Sequence, residues 1–349
     1  MKLKPLSEQV VVVLGASSGI GRESALRLAG RGARVVVAAR GEPGLQSLVR
    51  EITAAGGRAT YVVCDAVDPV QVRAVADAAV ATYGRIDTWV NVAGVIAHSP
   101  FDETEPEQFR RMMEINYLGQ VHGARAALPR LRAAGGGALV FVTSAESAVA
   151  MPGHSAYAAS KHAVEGLVSA LRRELLAESV PISVTSVRPS STNTPIFSNA
   201  AHGGDVDPEA PPPIYPVSVA ADCVVHAAEH PRRVLWAGGS GRAAALLQAV
   251  APRLLDEIVV RVQPLQRSSG DEGSDAGTLS APNKGETDAA GGLGNRERSF
   301  SLYTWLQLRP GVTAALGIGG VAGALAGMER ARRGRGSRRG GAATPPVAP

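Results

Sequence analysis

Aromatic residues make up only 4% of this 349-residue chain, and cysteine occurs just twice, at Cys64 and Cys223. Both cysteines lie in apolar stretches without a repeat spacing, which excludes a disulfide or thiolate framework and reads as two core residues in a reducing compartment. The histidines show no ligand spacing, so no metal is expected. Internal repeats are absent. The first nine residues carry lysines but are followed by only five apolar residues before Gly15, too few for the apolar core of a signal peptide. A cytoplasmic location is expected for the catalytic part.

Charge is also scarce outside one place. The formal net charge is +5, and residues 329–349 alone carry six arginines against Glu329, so the preceding chain is formally neutral. The basicity belongs to a tail, and a nucleic-acid partner is not expected.

The 45% of hydrophobic residues is enough for a full core. From residue 10 to about 240, short β-branched runs alternate with longer amphipathic stretches, the pattern of an α/β doubly wound parallel sheet. Seven strands are predicted, over 10–14, 34–38, 59–64, 88–91, 138–143, 182–187 and 234–237. Helices are predicted over 70–83 and 107–131, each with proline at its first position, and over 156–178. The chain divides into a Rossmann-like catalytic body (1–240), appended helices (241–265), a flexible linker (266–300), a Gly/Ala-rich hydrophobic segment (301–328) and an Arg-rich disordered tail (329–349).

The first strand runs into Gly15-Ala16-Ser17-Ser18-Gly19-Ile20-Gly21 and then a helix. Glycines let the backbone approach a pyrophosphate, and a helix N-terminus offers it unpaired amides. The second strand ends in Ala38-Ala39-Arg40, without the carboxylate that would take up a free ribose 2′-hydroxyl. Arg40, with Arg22 as a second positive charge, suits a 2′-phosphate instead, which predicts NADP(H).

Tyr157 and Lys161 lie four residues apart at the start of a predicted helix, and therefore on one face of it. Ser144 ends the strand thirteen residues before Tyr157. Ser144 can polarise a carbonyl oxygen while Tyr157 exchanges a proton with it, and a nearby positive charge, from Lys161 and an oxidised nicotinamide, would favour the phenolate. Glu146 and His154 read as loop hydrogen-bonders, with contact to substrate as the alternative.

The glycine spacing and the Tyr157-Ala158-Ala159-Ser160-Lys161 run resemble the short-chain dehydrogenase/reductase family, with Leu14 where its T-G-x-x-x-G-x-G pattern has threonine. The resemblance implies that Asp65 and Ala66 contact the adenine side. It places Asn91, Ala93 and Gly94, in Asn91-Val92-Ala93-Gly94, along the cofactor, and Asn116 at a water in the proton relay. It also implies that Pro189 belongs to the cofactor site and that Thr194 contacts the nicotinamide carboxamide, with Ser190 in place of a glycine and narrowing that pocket. The activity implied is NADP(H)-dependent interconversion of a small carbonyl compound and its alcohol. A cofactor-binding scaffold or redox sensor without turnover is the alternative, and an epimerase is disfavoured by the glycine spacing.

The segment 196–216 is expected as a substrate lid. The uncharged run 311–328, with glycines at intervals of four, is barely long enough to span a bilayer. Contact with an anionic membrane surface, aided by the basic tail, ranks beside a soluble packing helix. The long helices over 107–131 and 156–178 are candidates for packing in a homo-oligomer.

Overall fold

The computed structural model describes residues 1–202, 207–268, 277–282, 285, 287–293 and 296–315. Seven parallel strands form one sheet: β1 (Val10–Leu14), β2 (Arg34–Ala39), β3 (Arg58–Val63), β4 (Thr88–Asn91), β5 (Gly137–Val142), β6 (Ile182–Pro189) and β7 (Val234–Ala237). Their order is β7-β6-β5-β4-β1-β2-β3, and every pairing is parallel. β-branched runs such as Val10–Val13 suit strands covered on both faces. All of β1 is buried, whereas β3, at the sheet edge, is only partly covered. The order reverses between β1 and β4, which opens the crevice where such sheets take ligands.

Nine helices of seven residues or more are described: α1 (Gly19–Gly30), α2 (Glu42–Ala54), α3 (Pro69–Tyr83), α4 (Pro106–Met112), α5 (Gly119–Ala133), α6 (Ser155–Ala177), α7 (Val217–Glu229), α8 (Gly239–Val250) and α9 (Pro252–Val262). α3 shows how locally these are set. Asp68 accepts from the amides of Val70 and Gln71, Pro69 occupies the first turn, and Gly84 closes the helix at φ 83°.

The helix expected over 107–131 is instead two, α4 and α5, joined by a π-helical turn at Met113–Leu118. Pattern-reading missed the break because the apolar spacing continues across it. The widened turn is pinned from outside: Asn116 accepts from the Val95 amide at 2.8 Å, donates to the Val95 carbonyl at 2.9 Å and donates to Ser160 Oγ at 3.0 Å. Such turns cluster at functional positions.

The first compact unit extends through Thr304, well past the boundary expected near 240. Within the stretch expected as a flexible linker, 266–300, the described residues include a helical turn at Gly277–Ser280, and Thr287, Gly291 and Leu293 are hydrogen-bonded to the body. Low hydrophobicity had suggested disorder, but backbone groups make these contacts and composition does not report them. In the second unit, from Trp305, the Arg309 guanidinium lies 4.6 Å from the Trp305 ring centre. The segment 316–328 and the tail 329–349 lie outside the described residues. Among the described residues, no helix is long and apolar enough to cross a membrane.

The core between β4 and α5 tolerates no extra atom at Gly123, where a Cβ would lie 1.9 Å from Asn91 Oδ1 and 2.9 Å from Trp89 Nε1. Gly123→Ala is expected to destabilise the protein by about 1–3 kcal/mol through overpacking, read as a lower midpoint in urea denaturation; an unchanged midpoint would contradict this packing.

Candidate active site

The carboxyl ends of the strands, with α8 and α9, surround a cavity of about 480 Å³. Gly15, Ser17, Ser18, Gly19 and Ile20 line one end of it. Gly15 adopts φ 98°, where a Cβ would strike the Ala93 amide nitrogen at 2.3 Å. Gly21 lies behind the loop, where a Cβ would meet the Gly15 carbonyl oxygen at 2.1 Å, so it sets the helix against the loop without lining the cavity. At Leu14 the loop is held through the backbone, whose carbonyl accepts from the amides of Val92 and Ala93 at 2.8 and 3.0 Å. Ser18 makes no side-chain capping bond, which leaves first-turn amides of α1 to other acceptors.

Arg40, Asp65, Ala66, Ala93 and Gly94 also line the cavity. Burial lowers the Arg40 pKa; the charge of Asp65 opposes that and the charge of Arg111 adds to it. Arg111, which sequence reading did not single out, lies 3.7 Å from Asp65. Arg22 does not reach the cavity. Its guanidinium is buried against α2, donating to the Gly44 carbonyl, Ser47 Oγ and Glu51 at 3.1, 3.0 and 2.7 Å. One turn into α1, it is rotated away from the loop. Asn91 is likewise turned inward, accepting from Trp89 Nε1 at 2.9 Å, and is absent from the lining.

Ser144, Tyr157 and Lys161 come together on one wall. Ser144 closes β5 and accepts from the Glu146 amide at 3.0 Å, which leaves its proton free to point toward Tyr157. Lys161 Nζ lies 5.5 Å from the centre of the Tyr157 ring. Both are buried, at 7% and 3% exposure, and burial is what dominates them. It lowers the Lys161 pKa to about 8, against the opposing charge of Glu146. It pushes the Tyr157 phenol up, Glu146 pushes in the same direction, and the hydrogen bond with Ser144 opposes both.

Asn116 does not line the cavity. Its side-chain amide is committed to Val95 and Ser160. Pro189 and Thr194 do line it. Ser190 does not crowd that bend with a free hydroxyl: its Oγ donates to the Gly238 carbonyl at 3.2 Å and accepts from the Gly241 amide at 3.0 Å, at the start of α8.

Three features escaped sequence reading. Thr278, Thr287 and Asp288 lie at the nucleotide end: Arg40 donates to the Thr278 carbonyl at 2.7 Å, Thr287 to the Ser17 carbonyl at 2.7 Å, and the Gly19 amide to the Asp288 carbonyl at 3.1 Å. Leu255, Ile258, Val259 and Val262 of α9 make an apolar wall at the cavity. Below Ser144, Thr143 donates to Glu165 at 3.0 Å, and Glu165 is paired with Arg188 at 2.7 Å. Burial would raise the Glu165 pKa, but bonds from Arg188 and Ser186 outweigh it and the net shift is downward. None of these has a local signal, since each joins residues remote in sequence.

A protein-family model described as short chain dehydrogenase matches residues 9–204. An uncharacterized oxidoreductase, YxnA, of Bacillus subtilis is 37% identical over 338 residues, covering 93% of this chain and 92% of that protein. A dehydrogenase/reductase, SDR family member 7B, of Bos taurus is 31% identical and covers 74% of this chain and 83% of that one. A solved short chain dehydrogenase from Mycobacterium paratuberculosis, bound to NAD, superimposes with a TM-score of 0.58 at 31% identity, covering 65% of this chain and 93% of its own. The chain therefore belongs to the short-chain dehydrogenase/reductase family, whose members use nicotinamide cofactors, and is an oxidoreductase.

Proposed function

We propose that this oxidoreductase interconverts a carbonyl compound and a secondary alcohol with NADP(H), and that Tyr157 exchanges the proton. The observation that carries this reading is the meeting of Ser144, Tyr157 and Lys161 on the wall of the same cavity that has the glycine loop at its other end. The residues present fit a dinucleotide. Gly15 permits close approach of backbone to backbone, the start of α1 lacks a side-chain cap, and Arg40 stands at the end of β2.

When bound, the nicotinamide supplies hydride to the carbonyl carbon or removes it from the alcohol. Ser144 donates a hydrogen bond to the substrate oxygen, and Tyr157 passes its proton to that oxygen as the carbonyl electrons arrive there. Burial and the Glu146 charge keep Tyr157 as a phenol, the form that carbonyl reduction needs. Lys161 holds an ammonium beside the ring and limits the cost of the phenolate that remains. Tyr157→Phe is expected to lower kcat by about 100-fold or more while NADPH binding, followed by fluorescence, is retained. Turnover at the parent rate would refute the assignment.

The preference for NADP(H) rests on Arg40, without help from Arg22, and on the absence of an acid at the end of β2. The solved relative bound to NAD makes the comparison of both cofactors necessary. Arg40→Asp should lower the ratio of kcat/KM for NADPH over NADH by about 10-fold or more, the worth of a charge-assisted hydrogen bond; an unmoved ratio would count against NADP(H).

The segment that crosses the nucleotide end holds the Gly19 amide and Arg40 through backbone carbonyls, so cofactor and segment compete for the same donors. Thr287→Val removes the bond to Ser17 and should tighten NADPH binding by about 2–5-fold, the worth of one net hydrogen bond. Weaker binding in a calorimetric titration would mean that the segment clamps the cofactor instead.

A further inference from the structure

Two residues beyond Ser144, the short turn Ala145–Ser147 brings a carboxylate to the cavity wall. Among the described residues lining that cavity the acids are Glu146 and Asp65, and Asp65 belongs to the opposite, nucleotide end. The Glu146 side chain is 15% exposed and has a buried partner. His154 Nδ1 lies 3.0 and 3.2 Å from its two oxygens, so that nitrogen carries the proton and donates. The opposite nitrogen of the same ring, Nε2, lies 3.0 Å from His98 Nδ1. The two rings meet edge to face with centres 4.9 Å apart.

This row is built, not loose. His154 is 1% exposed and is the N-cap residue of α6, three positions before Tyr157, with ring centres 6.2 Å apart. His98 is held by Gly153, whose φ of 79° leaves room for the imidazole; a Cβ there would lie 2.9 Å from His98 Cε1. A carboxylate kept largely from water needs a donor, and the histidines supply one from a fixed direction.

The Glu146 charge reaches both members of the catalytic pair: it opposes ionisation of Tyr157 and favours the ammonium of Lys161. The titratable groups facing the phenol are Lys161 from its own helix, Glu146 from the turn, and His154 from the cap, with His98 behind. Around the rest of the ring, α4 and the π turn present Met112 and Ile115, and the short strands Ala97–His98 and Ala201–His202 present Ala97 and Ala201. Among the described residues lining the cavity, no second acid duplicates Glu146 there.

We propose that Glu146, fixed in place by the His154–His98 pair, is a positioning residue for the reaction: its charge sets the pH range over which Tyr157 exchanges its proton with the substrate oxygen. This rests on the assignment of Tyr157 made above. Removing the charge lets the phenolate form more readily and lets Lys161 lose its proton sooner. The first effect moves the proton-exchange midpoint toward lower pH, and the second brings down the pH above which the Lys161 ammonium is lost.

The test is the pH dependence of kcat/KM for a straight-chain methyl ketone with NADPH, and for its alcohol with NADP⁺, in the parent, Glu146→Gln, Glu146→Asp and Tyr157→Phe proteins. Glu146→Gln should shift the midpoints of both profiles down by about one pH unit, and Glu146→Asp, which keeps the charge, should return them to the parent value. Glu146→Ser, which removes the charge by shortening the side chain, should shift them the same way and serves if Glu146→Gln does not fold. A fall in rate at every pH with unmoved midpoints would mean a merely structural role and would overturn the proposal. An inactive Tyr157→Phe beside unmoved Glu146→Gln midpoints would overturn this inference alone, whereas a fully active Tyr157→Phe would remove the functional reading beneath it.

Discussion

A sheet whose strands are all parallel must deliver every carboxyl end to the same edge, and this site depends on that constraint. β1 brings the glycine loop, β2 Arg40, β3 Asp65 and Ala66, β4 Ala93 and Gly94, β5 Ser144, and β6 Pro189 and Thr194. The reversal of order between β1 and β4 leaves the gap into which these ends open. Tyr157 and Lys161 join them because α6 starts just after β5 and its first turns pass along the same edge. Glycine is needed where loops from adjacent strands touch, as at Gly15 against Ala93.

Once those groups are gathered, desolvation becomes the governing energy. Tyr157 and Lys161 are both pushed toward their neutral forms by burial, and each hydrogen bond or charge nearby acts as a correction to that push. Ser144 favours the phenolate, while Glu146 disfavors it and sustains the ammonium. Behind this pair, Glu165 and Arg188 form a partly buried array that anchors Thr143, the residue before Ser144. Leu255, Ile258, Val259 and Val262 of α9 add an apolar wall to the cavity.

Much of this was legible in the residues. Runs of valine marked the strands, Asp68-Pro69 and Gly84 marked the ends of α3, and the glycine spacing with Tyr157 and Lys161 marked the two ends of the cleft, because strand, cap and turn preferences act over a few neighbouring residues. The π turn at Met113–Leu118 was invisible, since its apolar spacing continues through the break while its anchor, Val95, lies on another loop. Arg22 was placed at the wrong neighbour for the same kind of reason: its position in α1 was correct, but the partner that claims its guanidinium is Glu51 of α2.

The order of residues by itself determined the seven strands, the glycine loop after the first of them and the placing of Tyr157 and Lys161 on one helix face, because these depend on short-range backbone preferences and fixed spacing. Only the tertiary structure decided which groups remain available to a ligand. Asn116 and Arg22 are consumed by partners remote in sequence, Thr278 and Asp288 bond to Arg40 and the Gly19 amide at the nucleotide end, and Glu146 meets His154, which in turn meets His98. Those outcomes follow from through-space hydrogen bonding and desolvation, which have no period or motif along the chain.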